Sequence, residues 1–212
     1  MHHEVLTPKA AVLFPSLQKF KGFDLAGGTA LALQIGHRIS VDFDLFSSKK
    51  IPASLLGRVQ TIFGRKHVIV SVNGPAELTV FVQGVKFTFL HYPFPKLFKT
   101  VSLGGIRAYS VKEIAATKAY TIGRRGSFKD YVDLFFILNE QHTSLKSILA
   151  SAKKKYGHEF NDRLFLEQLL FLNDLEEGSI SFLRNGPVTK RRLLNEFSAD
   201  IHALDLVRNQ AA

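Results

Sequence analysis

The stretch LAGGTALALQIGHRISVDFDLF, residues 25–46, carries a double glycine, a short apolar segment and two aspartates in close succession. The apolar segment predicts a helix with Thr29 as its N-cap and a stop near Gly36. Glycines before a helix leave backbone N–H groups exposed at the positive end of the helix dipole, where phosphate binds well. Gly27, Gly28 and the Thr29 hydroxyl are therefore candidate phosphate ligands, although a glycine turn before a helix is also common in simple packing.

Apolar and polar residues alternate from Ile39 to Phe46 and predict a half-buried strand with Asp42 and Asp44 on one face. Strands disfavour acidic residues, and two carboxylates about 6–7 Å apart repel each other unless a cation lies near both. Oxygen ligands suit a hard divalent ion, so Mg²⁺ or Mn²⁺ is expected between them. The alternative is a solvent-exposed strand edge, and the nearby glycine turn favours the metal site over it.

The next part of the chain has strand composition. The runs KHVIVSVN, ELTVFVQG and VKFTFLHY are separated by Gly, Pro or Asn and predict three strands, after a helix in PASLLGRVQTIFG. With the short strand FDLA before the glycines, they predict a sheet of about five strands. Earlier in the chain, Thr7 and Pro8 predict a helix start, and Pro15 predicts its interruption.

Helical patterns replace the strand patterns from Ser110 onward. This change predicts a domain boundary near Tyr109, with a sheet-containing core at residues 1–109 and a helical domain at residues 110–212. The sequence thus predicts an α+β fold. In the first of these helices, Glu113 is expected to complete a capping box.

The glycine turn, the twelve residues from Ala30 to Val41 and the two aspartates resemble the GG(S/T) and DxD signature of the DNA polymerase beta-like nucleotidyltransferase superfamily. The whole stretch is similar to the AbiEii/AbiGii toxin branch of that superfamily. The resemblance implies a nucleotidyltransferase-like mixed sheet with flanking helices, followed by a helical C-terminal bundle that closes over the nucleotide. It also implies transfer of a nucleoside monophosphate from an NTP to an acceptor hydroxyl, with Mg²⁺ or Mn²⁺ as cofactor.

The same branch carries a lysine, an arginine and a D-x-x-D-L helix in its C-terminal half. The matching residues are Lys118, Arg124 or Arg125, and the aspartates Asp130 and Asp133. Lys118 falls within the apolar arc of its helix, so its ammonium must either extend to solvent or meet an anion, here a triphosphate. Asp130 is preferred to Asp133, which is expected at the polar edge of the helix, although Asp130 also fits a helix cap with Ser127.

The superfamily often supplies a third carboxylate from a later core strand, and this chain departs from that pattern. The matching strand, GVKFTFLHY, contains no acidic residue, so Thr88 or His91 is expected at that place. The predicted catalytic residues are Asp42, Asp44, Lys118 and Asp130, and the first two are also the predicted metal ligands. The predicted nucleotide contacts are Gly27, Gly28, Thr29, Arg38 and Lys118.

Charge and composition bear on partners and compartment. Lys and Arg number 28 against 18 Asp and Glu, a formal charge of +10 that favours a polyanionic partner such as RNA. The tracts SAKKKYG, with Lys153 to Lys155, and TKRRLL, with Arg191 and Arg192, are candidate RNA contacts, and for each tract alone a solvated helix face is the commoner explanation. The absence of cysteine and of a signal or membrane-spanning segment predicts a cytoplasmic protein with no membrane partner.

The family resemblance suggests the toxin of a toxin–antitoxin pair, with RNA, tRNA first, as acceptor and a cognate antitoxin as partner. Two alternatives remain open. One is a small-molecule nucleotidyltransferase, for example one that adenylylates an antibiotic, and the other is a catalytically degenerate nucleotide- or RNA-binding module of the same fold. A product formed without RNA would indicate the first, and the missing third carboxylate favours the second.

Overall fold

The computed structural model describes residues 1–184 and 186–210, and the side chains of Arg125 and residues 205–210 lie outside the described part. The chain divides into two compact units. The first comprises Met1–Pro95 and Lys99–Ser110, and the second comprises Lys96–Phe98 and the chain from Val111 onward. The segment Lys96–Phe98 thus belongs to the helical unit, which a single division at residue 109 does not capture.

The first unit is built on one seven-stranded mixed sheet with the strand order β3-β4-β5-β2-β1-β7-β6. β1 pairs antiparallel with β2 and parallel with β7, while β2 pairs parallel with β5. Two strands, β6 and β7, were absent from the predicted five because three residues are too few for a visible alternation. The helices and strands are α1 (Pro8–Leu13), β1 (Asp24–Ala26), α2 (Gly27–Ile35), β2 (Phe43–Ser47), α3 (Leu55–Phe63), β3 (Val68–Asn73), β4 (Glu77–Val82), β5 (Val85–His91), β6 (Val101–Leu103) and β7 (Ile106–Ala108).

Phenylalanine rings form the core on one face of this sheet. Phe43 of β2 lies opposite Phe87 of β5 in the register, and the two ring centroids are 5.1 Å apart. Phe63 of α3 packs on Phe87 at 5.2 Å, and Phe20 packs on Phe89 at 4.9 Å. Because successive strand residues point to opposite faces, the intervening residues of β2 and β5 lie on the other, half-buried face.

Local sequence signals hold near the start of the chain. The Thr7 hydroxyl accepts a hydrogen bond from the Ala10 N–H at 3.3 Å, and Pro8 occupies the first turn of α1. The α-helix ends at Leu13 and continues as a 3₁₀ segment that contains Pro15. Both predictions for this region are confirmed.

The second unit is helical. α4 packs against α5, α6 and α7, and α8 packs against α5, α6 and α7 as well. None of the helices in the described part of the chain is both long and apolar enough to cross a membrane. The helices are α4 (Val111–Arg125), α5 (Phe128–Asn139), α6 (Leu145–Tyr156), α7 (Asp162–Leu170) and α8 (Lys190–Gln210).

A buried ion pair lies inside this unit. The Lys155 ammonium donates to Glu113 Oε1, and the two side chains are 0% and 1% exposed. The other carboxylate oxygen, Oε2, accepts the N–H groups of Leu97 and Phe98, each at 2.9 Å. The prediction that Glu113 completes a capping box is therefore wrong, because its carboxylate serves residues distant in sequence instead of the first turn of its own helix.

Candidate active site

The helix after the double glycine begins earlier than the sequence pattern predicted. α2 starts at Gly27, its N-cap is Ala26, and no side chain caps it. Gly27 has φ +65°, a left-handed conformation that lets the chain turn directly from β1 into the helix. The prediction of Thr29 as N-cap is wrong for this reason, while the predicted stop at Gly36, with φ +67°, is confirmed.

Thr29 instead ties the helix to the segment that carries the first aspartate. It is 2% exposed, and its hydroxyl oxygen lies 2.7 Å from the Ser40 hydroxyl. The Thr29 hydroxyl also donates to the backbone carbonyl of Asp42. These contacts identify Thr29 as a residue that positions Asp42, and its predicted role as a direct phosphate ligand stays a prediction.

The strand that carries the aspartates is shorter than predicted. β2 begins at Phe43, so Asp42 lies just before the strand and Asp44 within it. The predicted alternation fails upstream of Asp42, where Ser40 is buried and Val41 is 42% exposed. Ser40 instead pairs with Leu6 in an isolated parallel β-bridge, which lies outside the named strands of the sheet.

Asp44 lies beside the start of α2. The register places it opposite Ala26, the last residue of β1. A β-carbon added at Gly27 would overlap Asp44 Oδ2, so only glycine allows the carboxylate to approach the backbone this closely. The acidic pair and the glycine turn, which the sequence separates, are thus neighbours within the first unit.

Asp42 has a lysine partner from β5. Lys86 Nζ lies 3.5 Å from Asp42 Oδ2, and the two side chains are 38% and 42% exposed. An ion pair this exposed contributes at most about 1 kcal/mol to stability. Its interest is chemical, because a cation already lies beside one carboxylate of the predicted metal site.

Strand β5 carries Thr88 and His91, the two residues expected where the superfamily often has a third carboxylate. Thr88 pairs with Asp44 in the parallel register, which puts both on the half-buried face. His91 pairs with Ser47 and follows the odd-numbered residues of β5, so its side chain is on the opposite face. Of the two residues predicted for this place, the geometry favours Thr88.

The donor set fits one hard divalent ion. Asp42 and Asp44 offer carboxylate oxygens, the ligands that Mg²⁺ and Mn²⁺ prefer, and the Lys86 ammonium lies beside Asp42. Within the described residues, no cluster of three or more His, Cys, Asp or Glu side chains could hold a metal ion. A bound ion would therefore take its remaining ligands from substrate, water or backbone.

Arg38 is buried, as are the predicted nucleotide contacts Thr29 and Lys118. It is 4% exposed, and its guanidinium donates to the carbonyl of the neighbouring Ile39 at 3.1 Å. A phosphate ligand at the surface would be more exposed than this. The phosphate contact of Arg38 stays a prediction.

The lysine and the two aspartates predicted in the helical unit lie together. Lys118 Nζ is 2.7 Å from Asp130 Oδ1 and 2.6 Å from Asp133 Oδ2. Asp133 is 0% exposed, so its expected place at the polar edge of the helix is wrong. Its burial is explained by the ion pair with Lys118, which itself is only 6% exposed.

Asp130 has two roles in the structure. Its Oδ2 accepts the Ser127 N–H at 2.9 Å and completes the capping box of α5, as the sequence indicated. Burial alone would raise the pKa of the Asp130 carboxyl, but the charge and hydrogen bond of Lys118, together with the Ser127 N–H, outweigh burial and lower that pKa. Asp130 is thus an ionised partner that orients Lys118.

The arginine of the same motif lies on an aromatic stack. The guanidinium carbon of Arg124 lies 4.3 Å from the centroid of the Tyr120 ring. The Tyr120 ring stacks on the Tyr156 ring, with 4.0 Å between the centroids. Arg124 also lies 3.3 Å from the Glu159 carboxylate. The alternative match, Arg125, has its side chain outside the described residues.

The predicted basic tracts are only partly available to RNA. Lys155 is buried against Glu113, and Lys153 is paired with Asp162. Arg192 lies 4.9 Å from the centre of the Phe135 ring. The prediction of Lys155 as an RNA contact is wrong, because a fully buried ammonium cannot meet a phosphate backbone; Lys154 and Arg191 remain exposed.

A cavity of about 830 Å³ lies in the helical unit, between the end of α5, the start of α6 and α8. It is lined by polar residues of both charges, including Lys112, Lys146, Glu196 and Asp200. None of the predicted site residues lines it. The cavity is therefore separate from the chemistry predicted for this protein.

Sequence reasoning did not predict the contact of Lys86 with Asp42, and it ranked Asp133 below Asp130. Lys86 was visible on the same strand face as Thr88, but only the pairing of β5 with β2 shows that it meets Asp42. Asp133 carried a signal in its spacing from Asp130, one helical turn apart. That spacing places both carboxylates on the side of α5 where Lys118 can reach them.

Comparison with known proteins identifies the family and the fold. The mixed sheet with flanking helices is a nucleotidyltransferase fold, and the model of the family described as nucleotidyl transferase AbiEii toxin, type IV toxin–antitoxin system, matches residues 13–203. The chain belongs to this AbiEii toxin family. The predicted family and the α+β nucleotidyltransferase fold are both confirmed.

Three relatives illustrate the match. An uncharacterized Aquifex aeolicus (strain VF5) protein, aq_aa25, is 33% identical over 157 residues, which cover 73% of this chain and 76% of the relative. A Helicobacter pylori protein classed as a nucleotidyltransferase has a TM-score of 0.58 at 19% identity, over 97% of this chain and 99% of its own. The nucleotidyltransferase toxin MenT4 of Mycobacterium tuberculosis has a TM-score of 0.54 at 16% identity, over 91% and 84%. At these identities the two structures show similarity of fold.

Proposed function

We propose that this protein transfers a nucleoside monophosphate from an NTP to an acceptor hydroxyl, with one divalent ion, Mg²⁺ or Mn²⁺, held by Asp42 and Asp44. The observation that carries the proposal is the position of Asp44 against Gly27, at the N-terminus of α2. This arrangement supports the proposal, because it brings two carboxylates and the backbone N–H groups of a helix start together in one unit. Anionic phosphates and a hard cation are the two groups that such a site accepts.

Each residue has a defined part in this proposal. Gly27 and Gly28 offer backbone N–H groups to the outer phosphates, and Asp42 and Asp44 hold the divalent ion. That ion would supply positive charge to the phosphate oxygens and the leaving pyrophosphate. Thr29 fixes the Asp42 backbone through its hydroxyl hydrogen bond, so that the carboxylate stays aimed at the site.

Lys118 has less freedom than a simple phosphate ligand. Its ammonium already contacts two carboxylates, and this arrangement supports a role in orienting the α5 start. Its proposed neutralisation of triphosphate charge is tested by Lys118→Met, which should raise the KM for NTP if Lys118 contacts phosphate. An unchanged KM would assign Lys118 a structural role.

The acceptor we propose is RNA, with tRNA as the first candidate. The formal charge of +10 and the toxin family support a polyanionic acceptor. Incubation with α-labelled NTP and total tRNA should give labelled RNA, and affinity should fall steeply as salt rises from 50 to about 200 mM. Label transfer to a small hydroxylated molecule without RNA would favour the small-molecule alternative instead.

The central experiment is thermal unfolding with and without NTP and Mg²⁺. At a ligand concentration about 100 times its Kd, stabilisation is about 2.7 kcal/mol, roughly 5–10 °C for a chain of this size. The double variant Asp42→Asn/Asp44→Asn should stay folded and lose this shift. The matched control Glu176→Gln/Glu177→Gln removes the same charge from exposed positions and should keep it. Equal shifts in both variants would refute the proposed site.

The toxin role has its own test. Induced expression of the parent should arrest growth, and the Asp42→Asn/Asp44→Asn variant should not. An antitoxin partner, as the family suggests, would relieve the arrest when it is expressed together with the parent. Growth arrest that persists in the double variant would separate toxicity from nucleotide transfer.

A further inference from the structure

Strand β3 forms one edge of the seven-stranded sheet, and in the described part of the chain it pairs with β4 alone. An edge strand presents a row of backbone N–H and C=O groups on its outer side, where another strand can bind them. The opposite edge strand, β6, has three residues, whereas β3 extends over six, Val68–Asn73. β3 is therefore the longer open edge of this sheet.

Apolar side chains on β3 are exposed to solvent. Ile69 is 69% exposed, and Val70 and Val72 are each 40% exposed. Ile69 and Val70 are consecutive residues of the strand, so they lie on opposite faces of the sheet. The strand, VIVSVN, contains no charged residue and no proline, which are common means of keeping a further strand away from an edge. A strand bound along β3 would cover these apolar side chains.

A bulge limits the length of regular pairing along this edge. The register of β3 with β4 shifts between Val70 and Val72, so Ser71 is the extra residue. Bulges are another means of protecting an edge, but this one leaves Val68–Val70 in regular pairing with β4. A strand bound to β3 is thus expected to be short, and its affinity must come partly from contacts beyond the backbone.

Basic residues lie at both ends of β3. Arg65–His67 precede the strand directly, and all three are exposed. At the other end, the Ile51 N–H donates to the Pro75 carbonyl at 3.2 Å. This bond brings the exposed pair Lys49–Lys50 to the turn that follows β3. The edge is therefore apolar along its length and cationic at its two ends.

This distribution of charge decides between possible occupants. Residues 45–76 contain five Lys or Arg and no Asp or Glu. Glu77 comes next, and its carboxylate accepts the Thr79 hydroxyl at 2.6 Å. A second copy of the chain, paired with β3 in either direction, would bring cationic ends together, and they would repel each other. A segment with carboxylates at its ends would be attracted at both ends instead.

We propose that the β3 edge binds an extended, acidic segment of a partner protein, which adds a strand to the sheet. Backbone hydrogen bonds and the apolar side chains hold the middle of the segment, and its carboxylates meet the cationic ends. RNA fits this edge less well, because isoleucine and valine neither pair with phosphate nor stack on bases. The inference is independent of nucleotide transfer, since β4 and β5 separate β3 from β2, which carries Asp44.

A labelled peptide tests the proposal on the full-length protein. The peptide alternates valine and threonine and carries a glutamate pair at each end, and its binding is measured by fluorescence anisotropy. A control peptide of the same sequence is N-methylated at its central residues. It keeps every charge and side chain and loses the N–H donors that strand pairing requires.

Two variants, each with a matched control, locate the contact. Ile69→Ser removes an apolar side chain from the edge without adding charge, and Val12→Ser makes a similar change at a valine of α1 that is 74% exposed. Lys66→Glu reverses one charge at the end of the edge, and Lys129→Glu reverses one at an exposed position of α5.

The parent should bind the acidic peptide and should not bind the N-methylated one. Ile69→Ser should weaken binding about tenfold, because the covered isoleucine side chain is lost. Lys66→Glu should weaken it about threefold to tenfold, because an exposed attraction becomes a repulsion. Val12→Ser and Lys129→Glu should bind like the parent. In the complex, amide hydrogen exchange should slow over Val68–Asn73.

Four results would overturn the inference. No binding at about 1 mM peptide would refute it directly. Equal affinity for the N-methylated peptide would show attraction by charge without strand pairing. An oligouridine RNA that slows exchange over Val68–Asn73 and binds more tightly than the peptide would assign the edge to RNA. A dimer of the parent in sedimentation that Ile69→Ser dissociates would assign the edge to a second copy of the chain.

Discussion

Replacing Glu113 by glutamine should destabilise the helical unit strongly, because it leaves the buried Lys155 ammonium without a counter-charge. The two side chains are 1% and 0% exposed, so water cannot take over the role of the carboxylate. Glutamine keeps the size of Glu113 and one acceptor oxygen for the Leu97 and Phe98 N–H groups. The substitution therefore isolates the charge.

The size of the effect follows from the two options open to the lysine. If it stays charged, breaking a buried pair costs about 3–5 kcal/mol. If it releases its proton, the free-energy cost at pH 7 is set by the difference between that pH and the ordinary lysine pKa of 10.5, and it is about 5 kcal/mol. Burial lowers the pKa of Lys155 even beside Glu113, so proton release competes with the charged state once the carboxylate is removed. A loss of about 3–5 kcal/mol is expected.

Raising the pH should reduce this loss. At pH 9.5 the cost of proton release falls to about 1.4 kcal/mol, because the pH is then one unit below the ordinary pKa of lysine. The free energy of unfolding is measured with urea at pH 7 and pH 9.5 by far-ultraviolet circular dichroism, since the chain contains no tryptophan. Glu113→Gln should approach the parent at the higher pH.

The double variant Glu113→Gln/Lys155→Met completes the test. It removes both charges and keeps an acceptor for the two backbone N–H groups, so it should recover about 2 kcal/mol or more relative to Glu113→Gln. Removing one charge of the pair would then destabilise the protein more than removing both charges. A Glu113→Gln variant within 1 kcal/mol of the parent, or one whose loss is the same at both pH values, would show that the buried pair is not held by charge.

Three further predictions concern Gly27, Thr29 and the dependence of stability on acidic pH through Asp130. Gly22→Ala, with φ +96° and open space around it, should lose about 1–3 kcal/mol in thermal unfolding through backbone strain, and Gly27→Ala should lose more, because its β-carbon also overlaps the Asp44 carboxylate. Thr29→Val should weaken Mn²⁺ binding by releasing the Asp42 carbonyl, and Thr29→Ser should restore it; equal affinities would contradict the positioning role. The pKa of Asp130 is lower in the folded than in the unfolded protein, so its stabilisation is present above its unfolded value near 3.8 and is lost as the pH falls through its folded value. The melting temperature of Asp130→Asn should depend less on pH than that of the parent between about pH 5 and 2.5.

The family and the local elements of the first unit could be read from the sequence because their signals are short-range. The threonine–proline start of α1 and the stop at Gly36 depend on a few neighbouring residues. The glycine pair and the two aspartates lie within one stretch of chain, and this stretch resembles the signature of the nucleotidyltransferase superfamily. The longer strands could also be predicted, because their apolar and polar residues alternate over enough positions to be recognised.

The contacts that give the site its character depend on strand order and register, which link residues far apart in sequence. The meeting of Lys86 with Asp42 requires β5 to lie parallel beside β2, and no local pattern specifies that pairing. Glu113 likewise favours a partner 42 residues away over its own helix start, because burying Lys155 without a carboxylate would cost more than an uncapped turn. Sequence patterns thus determine which groups the chain offers, and packing in three dimensions determines which of them meet, because the cost of burying an unpaired charge exceeds any local preference.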